Sequence, residues 1–483
     1  MATYDYDIGI IGGGAAGLTV AAGAAQLGLS TLLVEREPNL GGDCLHHGCV
    51  PSKTLIRTAS VYHAMRNAGQ YGLPEAAVPP VDFRTVARHI RGVIGSIQAH
   101  DSEERFCGLG ARVLFGEAEF EDEHVVRCDG KRISARFWVL ATGSSPAIPS
   151  FSGLDGVDCL TNRNLFDLKE LPASMLILGG GPVGCEMAQA FQRLGCQIAV
   201  VQRGPRILKN DDADMVRVVM DAMKREGVRF ELNATPRSVR KRNGRYELEC
   251  ERDGETFVLN ADALLVATGR TPNVAGLRLK NAGVECGPRG IVVDERLRTS
   301  QKHIFAAGDV LGKYLFTHAA GYEGGIVISN AVFRLPRKVD YTWMPWCTYT
   351  EPELASIGMN EERASRAGVE HVVWEEPFSA NDRALAEGQS EGRIKLVLDR
   401  REKPLGVQIA GPHAGEVMGE WISALNAGTG LSTLASAVHP YPTVCEINKR
   451  VAGRVLASKL FSDKVKKALG FLFDYKGRAC TLD

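Results

Sequence analysis

Two cysteines, Cys44 and Cys49, lie five positions apart in the glycine-rich segment GGDCLHHGCVPSKTLI. A helix is predicted to begin near Pro51, which brings its positive end close to Cys49. That placement favours a thiolate, as does a nearby cation from Lys53 or from a protonated His46 or His47. In a reducing compartment so close a pair is catalytic or metal-binding rather than a structural staple. The two intervening histidines would complete a set of four metal ligands. Structural zinc, however, draws a second ligand pair from elsewhere in the chain, and none is apparent. A redox pair is therefore the expectation, with no resident metal. The chain holds twelve cysteines, and most of the others (Cys185, Cys196, Cys250) sit singly in periodic stretches, where a reduced thiol acts as a small apolar residue.

The elements that must position this pair are written twice. An apolar strand from Tyr6 to Ile11 enters GGGAAG at Gly12 to Gly17, followed by a small-residue helix and a second strand ending at Glu35. The order recurs in MLILGGGPVG at Met175 to Gly184, a helix, and a strand ending at Gln202. Each copy is a β-α-β unit whose turn lets the backbone approach a pyrophosphate and aims a helix N-terminus at it. One glycine fingerprint is weak evidence. Two copies, each followed later by an apolar strand ending in Ala-Thr-Gly (Ala141 to Gly143 and Ala267 to Gly269), are strong. The fold class is α/β, with two Rossmann-like dinucleotide-binding domains and a C-terminal α+β domain. Linkers around Pro149 to Asp155 and Thr271 to Asn273 divide the chain. The first domain is expected over 1–150 and 270–338, the second over 151–269, and the last over 339–483.

Composition bounds the rest. Among 483 residues, Lys plus Arg equals Asp plus Glu at 57 each, so no net field steers the chain to nucleic acid or an anionic membrane. Apolar runs such as Ala263 to Ala267 fall far short of the roughly 20 residues that span a bilayer. The N-terminus shows no secretory signal, and a cytoplasmic enzyme is expected.

The segment GGDCLHHGCVPSK, both fingerprints, both Ala-Thr-Gly strands, Gly308-Asp309 and a C-terminal Pro-Thr-x-x-Glu together resemble the pyridine nucleotide-disulfide oxidoreductases. That family includes dihydrolipoamide dehydrogenase, glutathione reductase and mercuric reductase. The resemblance spans essentially the whole chain. It implies FAD in the first domain, NAD(P)H in the second, and a C-terminal domain that forms a homodimer. Gly12, Gly14, Gly17 and Glu35 would then hold the FAD adenosine and pyrophosphate, with Gly42, Thr142 and Gly143 beside them and Asp309 on the ribityl-phosphate side. Gly179, Gly181, Gly184, Gln202, Arg203 and Gly269 would serve the nicotinamide nucleotide. Cys49 would touch the flavin, Cys44 would meet the substrate, and Lys53 would pair with Glu186.

Two departures bear on specificity. Gln202 replaces the carboxylate that accepts hydrogen bonds from an NADH ribose, and Arg203 and Arg206 follow it. This favours the 2'-phosphate of NADPH, with NADH the alternative. Disulfide reductases of the family carry a histidine before Pro-Thr-x-x-Glu, as acid and base for the outer thiol. Here VHPYPTVCE puts Tyr441 in that place, retains Glu446 and leaves His439 two residues upstream. Tyrosine titrates near 10 and is a poor base at neutral pH. Mercuric reductase shares the tyrosine but also has a vicinal cysteine pair at its C-terminus, whereas this chain ends GRACTLD with Cys480 alone. Three readings follow: reduction of a soft metal ion or other thiol-reactive acceptor, reduction of a small or protein disulfide, and a redox sensor with little turnover.

Overall fold

The computed structural model describes residues 3–475 and Ala479, so Cys480 lies outside the described residues. The chain divides into two compact units: Met1–Ile207 with Glu226–Tyr341, and Leu208–Arg225 with Thr342–Asp483.

In the first unit, strand Tyr6–Ile11 lies between Thr31–Glu35 and Lys131–Leu140, with Ala111–Phe115 at one side and Ile304–Ala306 joining Lys131–Leu140, all parallel. These strands read as unbroken apolar runs because both sheet faces are covered. Ile8, Ile10, Leu32, Leu33, Val139 and Leu140 are all fully buried. Helix Ala15–Gln26 approaches helix Thr317–Ala331 closely, because glycines replace bulk at the crossing: a Cβ on Gly23 would fall 2.3 Å from Ile328. The second copy repeats the plan with four parallel strands in the order Arg229–Leu232, Gln197–Gln202, Ser174–Leu178, Ala263–Val266. An antiparallel meander, Thr235–Arg242, Arg245–Arg252 and Glu255–Ala261, precedes the last of them.

The second unit is a five-stranded antiparallel sheet covered by helices Ala414–Asn426 and Glu446–Leu460. Ile394, Leu396, Val407, Ile409, Trp421, Ile447 and Val451 form its core. Helix Ala213–Arg225 groups with this unit, although the sequence places it inside the expected range 151–269. The cause is electrostatic. Lys395, only 2 % exposed, is held by Asp214 at 2.7 Å, Glu361 at 2.8 Å and Asp212 at 3.3 Å. A buried ammonium is tolerated only with such partners. Among the described residues no helix is long and apolar enough to cross a membrane.

Candidate active site

The first fingerprint is fixed by backbone contacts that only glycine permits. Gly12 adopts φ +111°, and a Cβ there would lie 2.3 Å from the Ala141 carbonyl. A Cβ on Gly17 would sit 1.8 Å from the Gly12 carbonyl, so the helix starts hard against the turn. Gly14 differs: its Cβ would meet nothing nearer than Gly42 Cα at 3.9 Å. Gly14 caps helix Ala15–Gln26 without a side-chain hydrogen bond, leaving first-turn amides beside open space. That cradle fits a pyrophosphate. Glu35, almost fully buried, accepts from Gly13 N at 2.6 Å and Glu37 N at 2.8 Å, so strand end and turn are one unit.

The second fingerprint copies this geometry. Gly179 adopts φ +109°, a Cβ on Gly184 would lie 2.0 Å from the Gly179 carbonyl, and a Cβ on Gly181 would meet nothing within 4 Å. Gln202 Oε1 accepts from Gly180 N at 2.9 Å, in the role that Glu35 plays in the first copy. The carboxylate has become a neutral amide at the same place. Arg203 next to it is exposed. At the Ala-Thr-Gly turns, Gly143 and Gly269 also take positive φ. Thr142 Oγ1 donates to the Asn273 carbonyl at 2.7 Å, so the crossing strand is pinned to the first domain's turn.

The cysteine segment grows out of the first turn. Gly41 N donates to the Gly13 carbonyl at 2.9 Å, and Gly42, at φ +61°, approaches Gly14 so closely that a Cβ would lie 2.7 Å from its Cα. A short helix, Gly42–His46, carries Cys44, and helix Cys49–Arg66 begins at Cys49 itself, two residues before Pro51. The two thiols meet. Cys49 is pulled down to about 6, first by the hydrogen bond from Cys44, then by the Thr317 hydroxyl and the Lys53 charge, against burial and Glu186. Cys44 is pushed up by the same hydrogen bond, by burial and by the charge on Cys49. The inner thiol therefore carries the negative charge at neutral pH. Thr317 Oγ1 lies 3.5 Å from Cys49 Sγ at the start of its helix. Lys53 Nζ lies 2.7 Å from Glu186 Oε2, with the carboxylate buried and the ammonium part-exposed.

The histidines of the loop do not join the thiols. His46 Nε2 is bound to the Leu40 carbonyl at 2.9 Å, and burial with the Arg163 charge pushes His47 down, so it is neutral at pH 7. The charge that acts on Cys49 is that of Lys53. No cluster of three potential metal ligands includes Cys44 or Cys49 among the described residues.

Three further residues were not singled out from the sequence. Arg270 donates to Asp43 Oδ2 at 2.8 Å and to Ser144 Oγ at 2.6 Å, and lies 3.4 Å from Asp309. Ser144 Oγ donates to Asp309 at 2.5 Å. Burial raises Asp309, while Ser144 and Arg270 hold it down. Arg270, Asp43 and Ser144 thus tie the Cys44 helix to the Gly308-Asp309 turn. All three adjoin motifs, Asp43 beside Cys44 and Ser144 and Arg270 directly after the two Ala-Thr-Gly turns, and that adjacency was the available signal.

In the second unit, Tyr441 is 71 % exposed, and its hydroxyl donates to Asp382 at 2.8 Å. That bond and the carboxylate's charge push the phenol above its ordinary value. Glu446 accepts from Thr443 N at 3.4 Å and does not hold His439. His439 instead pairs through Nε2 with Glu420 at 3.0 Å.

Two phosphate-binding β-α-β units around a dithiol define a two-nucleotide flavoprotein reductase. The pattern described as "Pyridine nucleotide-disulphide oxidoreductase" matches residues 6–324, and that family's dimerisation domain matches residues 344–452. The chain belongs to the pyridine nucleotide-disulphide oxidoreductases, FAD-dependent enzymes that use a pyridine nucleotide. It is 34% identical over 466 residues to a mercuric reductase of Bacillus cereus, covering 96% of this chain and 73% of that one. It is also 34% identical to a dihydrolipoyl dehydrogenase of Bacillus subtilis (strain 168), covering 92% and 97%. Among solved structures it is similar to the Cu(II) complex of the HOCl-induced flavoprotein disulfide reductase RclA from Escherichia coli. That likeness has a TM-score of 0.84 and 27% identity, over 93% of this chain and 100% of the other.

Proposed function

We propose that the protein is an NADPH-dependent, homodimeric flavoenzyme that passes electrons through Cys44 and Cys49 to a soft, thiol-reactive metal ion. Bound FAD would accept hydride from the nicotinamide and deliver an electron pair to the Cys44–Cys49 disulfide. The fingerprint amides at Ala15 and beyond would hold its pyrophosphate, with Glu35 and Asp309 at its two ends. Lys53, oriented by Glu186, would stabilise negative charge beside the thiols. Cys49 would rest as thiolate, and Cys44, protonated by comparison, would be the thiol that meets the acceptor. Gln202 and Arg203 favour a 2'-phosphate, because a neutral amide does not repel it and the guanidinium can pair with it.

The carrying observation is Tyr441. Disulfide exchange needs a base for the outer thiol, and this phenol is exposed, donates to Asp382 and is raised. A metal ion needs no such base, because coordination itself displaces the thiol proton. The electrons balance: one NADPH reduces Hg(II) to Hg(0), or two Cu(II) to two Cu(I), with release of NADP+ and a proton. The likeness to a flavoprotein disulfide reductase solved as a Cu(II) complex supports contact of this fold with a soft metal ion. NADPH oxidation followed with Hg(II) or Cu(II) under excess thiol, against a panel of lipoamide, glutathione disulfide and a protein disulfide, tests it. Metal-dependent turnover that vanishes in Cys44→Ser supports the proposal. Vigorous turnover with any disulfide and none with metal would replace it by the disulfide-reductase reading.

A further inference from the structure

Outside the dithiol site, one group of potential ligands converges in the C-terminal unit. Glu420 on helix Ala414–Asn426, His439 in the loop that follows and Cys445 at the cap of helix Glu446–Leu460 bring their ligand atoms within 4.8 Å of one another. His439 Nε2 lies 3.0 Å from Glu420 Oε1, and Cys445 Sγ lies 3.7 Å from Glu420 Oε2. These are the separations of ligand atoms along the edges of a small coordination polyhedron, whose metal–ligand bonds run about 2.0–2.3 Å.

The cluster is held from behind. Asn448, fully buried, donates to Glu420 Oε2 at 2.9 Å and to the Val417 carbonyl at 3.0 Å, while its Oδ1 accepts from Trp421 Nε1 at 2.7 Å. Such support fixes a ligating carboxylate in orientation, as outer partners do in metal sites. His439 is anchored through Nε2 alone, since its Nδ1 is buried with no hydrogen-bond partner among the described residues. No lysine or arginine pairs with Glu420 among them either.

We propose that Glu420, His439 and Cys445 form a second metal site, distinct from Cys44 and Cys49, that binds one borderline divalent cation of the zinc class. One thiolate, one imidazole and one carboxylate with a fourth position left for water match that class. The sulfur argues against Mg2+ or Ca2+, and the carboxylate against Cu(I). On binding, the Cys445 thiol gives up its proton to solvent. The imidazole takes its Nδ1-protonated tautomer, which leaves the Nε2 lone pair for the cation between it and Glu420, so the ring loses no net proton. This inference does not depend on which acceptor the dithiol serves.

The test uses the tag-free full-length flavoprotein carrying Cys44→Ser and Cys49→Ser, so that the redox pair cannot bind metal. Co2+ is added anaerobically to the reduced protein, and the difference spectrum is read for thiolate-to-cobalt charge-transfer absorbance. Zn2+ titration by calorimetry gives the stoichiometry. The expected result is one cation per protomer with the charge-transfer band, lost on adding Cys445→Ser and at least tenfold weaker binding in Glu420→Gln and His439→Gln. Retained flavin and unchanged far-ultraviolet circular dichroism show that each variant is folded. Absence of the band in the parent, or its persistence in Cys445→Ser, would overturn the site, as would undiminished affinity in both other variants.

Discussion

The charge on Cys49 comes from an arrangement of neighbours, and each neighbour can be removed. Cys44 donates to it, Thr317 caps it and Lys53 supplies a cation, so its thiol is pulled down to about 6 while Cys44 is pushed up. Above that value the inner sulfur is a thiolate; as pH falls below it, the thiolate fraction drops about tenfold per unit. Alkylation of Cys49 in the reduced protein, followed site by site with mass spectrometry, should show this midpoint near 6 rather than near the ordinary thiol value. Lys53→Met and Thr317→Val should each move it upward, because each removes a contribution that favours the anion. A midpoint unchanged in both variants would mean that the pair itself sets the charge. At this scale the sequence showed the two cysteines and Lys53 plainly, since they share one short motif. It could not show Thr317, 268 positions from Cys49, or Arg270, 227 positions from Asp43, because hydrogen bonds across such separations leave no local pattern.

The elements were easier to read, for a physical reason. A parallel strand buried on both faces must be apolar throughout, and a turn that meets a phosphate must be glycine, so both β-α-β units announce themselves. The strand ends at Glu35 and Gln202 were legible to the residue. The antiparallel meander was not, because its strands are half-exposed and charged along one face, as in RSVRKR and YELECER. Because the two fingerprints are separate elements, they should fail separately. Gly17→Ala places a methyl 1.8 Å from the Gly12 carbonyl, and Gly184→Ala one 2.0 Å from the Gly179 carbonyl. Gly17→Ala is expected to yield protein depleted in flavin, read from its visible absorbance. Gly184→Ala is expected to keep its flavin and raise the KM for nicotinamide nucleotide by tenfold or more, about 1.4 kcal/mol of binding. Equal loss of flavin in both would contradict the division of labour. At the end of the second β-α-β copy, Gln202→Glu with Arg203→Ala should shift preference from NADPH toward NADH. The new carboxylate repels a 2'-phosphate and accepts from free ribose hydroxyls, and removing a charge-assisted pair alone is worth about 1.5–3 kcal/mol. The ratio of kcat/KM for the two nucleotides should change by at least tenfold.

For the whole molecule, the consequence of joining a flavin cradle to a dithiol is electron capacity. The Gly41–Gly13 hydrogen bond and the Gly42–Gly14 contact fasten the cysteine segment to the fingerprint turn, and Arg270 fastens it to the Gly308-Asp309 turn. The dithiol thereby becomes part of the first β-α-β unit rather than a loop beside it. A protein with one bound FAD and one reducible Cys44–Cys49 pair stores two electron pairs, one in each. Anaerobic titration of the yellow protein with dithionite should therefore consume about two reducing equivalents of two electrons per protomer. One should go to sulfur and one to the flavin, because each is a distinct two-electron centre. Cys49→Ser or Cys44→Ser removes the sulfur couple and leaves the flavin, so each variant should consume about one. Omitting acceptor from the titration separates the fold's electron path from the identity of whatever receives the electrons. If the wild-type protein and both variants took up the same amount, the two cysteines would lie outside that path. Tyr441, Gln202 and the metal chemistry built on the pair would then have to be explained without it.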